Sequence, residues 1–228
     1  MDTYLLPMHV HLCRRGDEFV FLDLRQDDYT LVNGPAAAAL RASLFGERDS
    51  NSNAIPATAL QELLEGGLLT KSADAGKPLA VTDVEIATEA LLDLETMPAA
   101  RITLVRFCRF FAACLHAFVR LRWGRLENTI GAVSRRKARH AADRFDLARA
   151  RELTATFYKL RALFPFNYLC LFDSLALIEF LARHRIYPTW VFGVKLAPWA
   201  AHCWIQHDSF VFNEGVEEAA RYTPIMAI

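Results

Sequence analysis

Three side chains in the C-terminal part of the chain have the makings of nucleophilic catalysis: the thiol of Cys170, the imidazole of His202 and the carboxylate of Glu214. Pro165 stops the preceding helix and Asn167 offers an N-cap oxygen for the next. Cys170 is therefore expected in the first turn of an apolar helix, where unpaired N–H groups and the helix dipole favour thiolate. His202 follows at the start of a β-type run, and Glu214 stands at the end of the run after that. A sulfur nucleophile, an imidazole base and a carboxylate that orients the ring carry out acyl transfer through a thioester. Spacing alone does not choose this reading over packing. The chain has five cysteines and seven histidines, and a cysteine in an apolar helix is more often a core residue.

Positioning such a set takes a helix and a sheet. FNYLCLFDSLALIEFLARHR (166–185) predicts the helix, and TWVFGVKL (189–196), AHCWIQH (201–207) and SFVFNE (209–214) predict three antiparallel strands, an α+β arrangement. Strand alternation sends Cys203 to the opposite face from His202, as a packing residue, and Asp208 is a second possible acid. Upstream, residues 101–123 place Leu104, Phe107, Phe111, Leu115 and Phe118 at steps of three or four, which predicts an amphipathic helix with that stripe on the core. Cys108, Cys114 and His116 are read as inert core residues of that helix. A further helix is expected from Arg139 to Leu163, and a short acidic one over 83–95 within a polar connection.

The N-terminal third is different. MHVHLC (8–13), EFVFLDL (18–24) and YTLV (29–32) predict a three-stranded meander, followed by helices over 36–45 and 59–69, the second with Thr58 as N-cap. This unit of about 70 residues is near the lower limit for an independent core. It lacks paired carboxylates, a phosphate loop and a Ser/His set, so a binding role is expected. His9 and His11 share a strand face but have no third ligand nearby, so no metal site is assigned. The predicted organisation is a binding domain over 1–75, a linker over 76–100 and a second domain over 101–228.

Composition narrows the class. With 228 residues, 26 basic and 26 acidic side chains and 53% hydrophobic residues, the chain is not intrinsically disordered. Residues 101–163 carry 15 basic and 4 acidic side chains, which fits an acidic partner or a solvated helix face; no nucleic-acid role is assigned. The cysteines show no C-x-x-C pair, which argues against a disulfide framework or structural zinc. The N-terminus lacks the features of a secretory signal, and the longest uncharged apolar stretch, Phe110 to Val119, is too short for a membrane span. A cytoplasmic protein is expected. No phosphate-binding motif is present, so neither ATP nor any other cofactor is assigned.

The words around the three residues carry more. CLFDSLALIEFLARHRIYPTWVFGV, then AHCWIQHDSFVFNE, resembles the C-terminal protease domain of lasso-peptide maturation B proteins, members of the transglutaminase-like, papain-related cysteine peptidases. In that family a Cys-Leu-x-x-Ser-Leu-Ala-Leu helix supplies the nucleophile, an Ala-His-x-Trp strand the base, and an Asn-Asp pair further along the chain the acid. The resemblance implies Cys170, His202 and Glu214 in those roles, with Ser174, Leu175, Ala176, Leu177, Trp204 and Asn213 in register. Glu214 stands where the family usually has Asp, so its longer side chain requires a shift of the turn. The N-terminal meander and its two helices resemble the PqqD-like, winged-helix leader-recognition element fused to such proteases, which binds a leader peptide as an added strand. That resemblance implies Tyr29, Leu31, Leu60 and Leu64 as pocket residues, each equally readable as core. The implied function is a leader peptidase in the biosynthesis of ribosomally made lasso peptides. Its partners would be the precursor peptide and a separate asparagine-synthetase-like cyclase. A transglutaminase-like acyltransferase and a non-catalytic leader-binding scaffold are the alternatives.

Overall fold

The computed structural model describes residues 4–46, 57–92, 101–164 and 169–228. Its contacts divide the chain into two units, one of residues 1–83 with 223–226 and the other of residues 84–222 with 227–228.

In the first unit, β1 (Leu5–Pro7) pairs antiparallel with β5 (Gly76–Pro78). Strands β2 (Val10–Arg15), β3 (Glu18–Asp23) and β4 (Asp28–Val32) form an antiparallel meander in that order, as the two clusters of turn residues require. Helix α1 (Gly34–Phe45) opens with a Pro in its first turn and ends at Gly46, whose φ of 67° suits only a residue free of the Cβ penalty. Helix α2 covers Ala57–Glu65, so Thr58 lies inside the helix and not before it. Val10, Leu12, Phe19, Phe21 and Val32 from one sheet face pack with Leu40, Leu60 and Leu63 to make the core.

The second unit holds the expected helices and sheet with several differences. No helix forms over 83–92. Residues 81–88 are irregular and Glu89–Ala90 form a short strand, β6, parallel to β9 (Phe210–Val211); residues 93–95 of the expected helix lie outside the described residues. Helix α3 (Leu104–Trp123) is capped by the Thr103 hydroxyl, which accepts from the Arg106 N–H. It ends at Gly124, where a Cβ would lie 2.4 Å from the Arg120 carbonyl oxygen. Next come α4 (Leu126–Arg139), where no helix was predicted, and α5 (Leu147–Arg161), which covers most of the helix predicted over 139–163. The turn between them leads to Asp146, whose carboxylate caps α5. Helix α4 escapes a periodicity search because it buries only Thr129, Ile130 and Val133.

The predicted orientation of α3 is wrong. Phe107, Phe111, Leu115 and Phe118 are exposed, Leu104 is 78% exposed, and the buried side is Phe110, Ala113, Cys114 and Ala117. A face of small residues lets a neighbouring helix approach closely, and a reading that sends the largest side chains inward misses it. Cys108, read as core, is exposed as well. His116 instead shares the buried Glu179 carboxylate of α6 (Cys170–Ala182) with Arg136 and Arg183.

Strands β7 (Thr189–Leu196) and β8 (Trp199–His207) form a long hairpin turning at Ala197-Pro198, and β9 and β6 continue the sheet beyond β8. Two elements near the C-terminus also went unread: a short helix, α7 (Val216–Ala219), and a last strand, β10 (Thr223–Ala227). Ile228 exchanges two backbone hydrogen bonds with Trp190. Among the described residues no helix is long and apolar enough to cross a membrane.

Candidate active site

Helix α6 begins at Cys170, with Leu169 as N-cap in an extended conformation and no capping side chain. Asn167, the expected cap, lies outside the described residues. The start of the helix is held from inside: Asp173 Oδ2 accepts from the Leu169 N–H at 2.9 Å, and Asp173 Oδ1 takes the Arg161 guanidinium, which is wholly buried. Neither residue was singled out from sequence, although a carboxylate in the first turn, four positions after the N-cap, is a readable sign of a back-reaching cap. Cys170 is thereby fixed as the first helical residue. Its N–H has no carbonyl one turn back within the helix, and the first bond, Asp173 N–H to Leu169 O at 2.9 Å, forms behind it.

His202 lies near the start of β8, opposite Gly193 of β7. A Cβ at Gly193 would sit 2.8 Å from the Trp204 ring and 2.9 Å from Tyr222 Cβ, so glycine is required there for those two aromatic residues to close around the imidazole. The ring centroids of Trp204 and Tyr222 lie 6.2 and 4.9 Å from that of His202. Gly193 and Tyr222 were also missed, since nothing in their own sequence context marks them.

Glu214 reaches the ring. Its Oε2 accepts a short hydrogen bond from His202 Nε2, while Oε1 is buried without a hydrogen-bond partner among the described residues. The turn that carries it is pinned one residue earlier. Asn213 Oδ1 accepts from the Ile205 N–H at 2.7 Å, and Asn213 Nδ2 donates to Ser174 Oγ at 3.3 Å. Asp208, the other acid considered, sits in the β8–β9 turn beside His207, away from His202.

The electrostatics follow from this geometry. Hydrogen bonds from the Cys203 thiol and from His202, together with the charge of His202 and the Cys203 backbone N–H, outweigh burial and bring the Cys170 thiol down to about 4. Burial disfavours a charged His202, but its hydrogen bonds to Cys170 and Glu214 and their charges raise it to about 9. Between those values the resting pair is thiolate and imidazolium. Cys203 corrects an expectation in part. It is buried at 2% exposure, as a packing residue should be, yet its thiol lies 3.8 Å from Ser174 Oγ and helps to lower the Cys170 thiol. A thiolate at a helix start, an imidazolium beside it and a carboxylate behind the ring are equipped to form and release a thioester.

The structure brings Cys170, His202 and Glu214 together; the four expected leader-binding residues it does not. Leu60 is core. Leu64, one turn on, packs partly buried against the same core. Tyr29 and Leu31 pair with Leu22 and Val20, and by alternation they lie on the opposite sheet face from Val32 and the helices. Leu31 is 45% exposed.

The fold and site define an α+β domain that gathers a cysteine at a helix start with a histidine and a carboxylate from the sheet side. The chain belongs to the transglutaminase-like superfamily, whose family model matches residues 99–227; members generally act as cysteine proteases or acyltransferases. No curated protein matches the chain, and no solved structure does.

Proposed function

We propose that this protein is a leader peptidase of lasso-peptide biosynthesis, with Cys170 as nucleophile, His202 as acid and base, and Glu214 as the group that orients the ring. One observation carries the chemistry: Glu214 is hydrogen-bonded to the His202 ring, and that ring and the Cys170 thiol act on each other strongly enough to bring the thiol down and the imidazole up. The thiolate attacks the carbonyl carbon of the last leader residue. The resulting oxyanion is met by the N–H of Cys170 itself, which the helix's own hydrogen bonding leaves over. His202 gives its proton to the departing core amine, and the leader remains as a thioester on sulfur. The neutral imidazole then takes a proton from water, whose oxygen displaces the sulfur, releasing the leader carboxylate and restoring the ion pair.

The leader and lasso parts of the reading rest on the sequence resemblance and on one feature of the first unit. Strand β4 is the outer strand of its sheet, with an edge of main-chain groups to which an extended peptide can add. Leu31 on that strand offers an exposed apolar contact. The freed α-amine of the core would be the substrate of an asparagine-synthetase-like cyclase.

The test is mass spectrometry of a candidate precursor incubated with the protein. Hydrolysed leader and free core are expected, with neither formed by Cys170→Ala. A leader capped by an added amine, in preference to the free acid, would assign acyl transfer in place of hydrolysis. Binding without any product would leave a scaffold.

A further inference from the structure

We propose that the exposed face of α3 is a docking surface for an anionic membrane: the helix lies along the lipid surface with its apolar strip in the acyl boundary and its arginines among the headgroups. The inference is separate from the peptidase reading, since it uses no residue of the catalytic site and its test uses no peptide.

A surface helix ordinarily turns its charged side chains to water, but among the described residues of α3 the exposed ones carry a single charge, on Arg122. The rest of that face is apolar. Leu104, Leu115 and Trp123 are 78%, 63% and 71% exposed, and Phe107, Phe111 and Phe118 between 38% and 44%. At 3.6 residues per turn the first five of these fall in one strip about 80° wide, and Trp123 closes its C-terminal end. The strip is continuous. Ring centroids lie 4.7 Å apart for Phe107 and Phe111 and 5.9 Å for Phe118 and Trp123, and Phe111 meets Phe164 after α5 at 5.9 Å. Leu163, next to Phe164, is 74% exposed and widens the patch. A monomer leaves large apolar side chains exposed singly, and a contiguous run of them marks contact with protein or membrane.

Charge decides what covers the strip. Residues 101–126 hold six arginines and no acidic residue. Arg106 is paired with Glu152, and Arg109 and Arg120 are turned to His184 and His116. Arg122 and Arg125 flank the exposed Trp123 and make no ion pair among the described residues. A second copy of the chain would set arginines against arginines, so the partner is anionic. A protein interface surrounds its apolar centre with polar groups that make directional hydrogen bonds, and the strip offers no polar side chain but the Cys108 thiol over about five helical turns. Lipid requires no such groups. An interfacial helix needs Leu, Phe and Trp to enter the acyl boundary and basic side chains to meet anionic headgroups, and α3 presents both. Its opposite side, with Phe110, Ala113, Cys114 and Ala117, is packed in the protein, so the helix is formed before it meets a membrane.

The experiment is co-sedimentation of the protein with vesicles of phosphatidylcholine alone and of phosphatidylcholine mixed with phosphatidylglycerol. Iodoacetamide labelling of Cys108, which is exposed on the strip, is read in the same samples by peptide mass spectrometry. The protein should bind the anionic vesicles, bind less as salt rises, and have Cys108 alkylation slowed severalfold when bound. Replacing Arg122 and Arg125 together by Gln should lower the partition coefficient roughly 30-fold, at about 1 kcal/mol for each basic side chain. Leu115→Asp should lower it at least as far. Wild-type protein that stays in the supernatant with anionic vesicles overturns the inference, and so does equal binding to both kinds of vesicle, because the arginines would then contribute nothing. Binding that survives in a folded Leu115→Asp overturns it as well, since another surface would be holding the lipid. If that variant fails to fold, the wild type decides: Cys108 labelled at its free rate on bound protein contradicts the inference, and protected Cys108 upholds it. Self-association in sedimentation velocity, without vesicle binding, would give the face to a second copy, and capture of an acidic protein without vesicle binding would give it to a protein partner; either result overturns the membrane assignment.

Discussion

Replacing Glu214 by Gln tests how the carboxylate supports catalysis. The working state needs Cys170 ionised and His202 protonated, so it exists above about 4 and below about 9. Glu214 helps set only the upper limit. Both side chains are well enclosed, with 17% exposure for His202 and 11% for Glu214, so solvent screens the pair little. Exchanging a charged for a neutral acceptor should cost the imidazolium about 2 kcal/mol, or about 1.5 pKa units. The upper limit then falls from about 9 to roughly 7.5. At pH 9 the wild type keeps half its sites in the working state and the variant about 3%, a loss of about 15-fold; at pH 6 both are nearly full. The amide oxygen can still accept from Nε2, so the ring should hold its place. The amide nitrogen would occupy the position of Oε1, which is buried without a partner among the described residues, and that affects folding more than the pH limit. The assay is kcat/KM on a leader–core peptide across pH, with Cys170 alkylation as its substrate-free counterpart. An equal loss at pH 6 and pH 9 would refute the reasoning, because Glu214 would then act by placement alone.

Other changes test other links. Cys170→Ala and His202→Ala should each abolish leader removal and leave leader affinity, read by fluorescence anisotropy, unchanged; loss of binding in a folded variant would show that one unit does both jobs. Gly193→Ala should push Trp204 or Tyr222 against His202, lowering kcat about tenfold and stability by about 1–3 kcal/mol in thermal melts. Wild-type turnover would mean the aromatic rings can shift freely. Glu179→Ala strips one acceptor from Arg136, Arg183 and His116 at a site where the carboxylate is 5% exposed, and should cost about 3 kcal/mol. A melting temperature within a degree of wild type would show that water replaces it. Asp173→Asn should slow Cys170 alkylation by loosening the helix start; an unchanged rate would free Asp173 of that role.

The parts of this protein that could be read in advance are those whose function constrains local sequence. Cys170 could be placed at a helix start because an apolar run begins there, and β7 and β8 show as long runs rich in β-branched and aromatic residues. The pattern Ala-His-x-Trp puts His202 on one strand face and leaves Cys203 to the other, and both statements are sound as far as alternation goes. What alternation does not register is that a sulfur at a helix start can interact with both residues. The orientation of α3 failed for a related reason. Ala113, Cys114 and Ala117 make the buried face, and small residues carry little weight in a periodicity count although they permit close packing. The strand β6 has only Glu89 and Ala90, too few for any pattern, and its pairing with β9 is settled by residues far along the chain. The leader-binding residues were read from resemblance, with no local signal to separate pocket from core, and Leu60 took the core alternative.

The account stands or falls on covalent chemistry at one sulfur. Acid-quenched reactions of the protein with a leader–core peptide, digested and mapped by mass spectrometry, should show the leader mass on the peptide that contains Cys170. The adduct should appear before free leader does and be absent from Cys170→Ala. Leader release that persists in Cys170→Ala, or an adduct on Cys108, Cys114 or Cys203 in its place, would contradict the account.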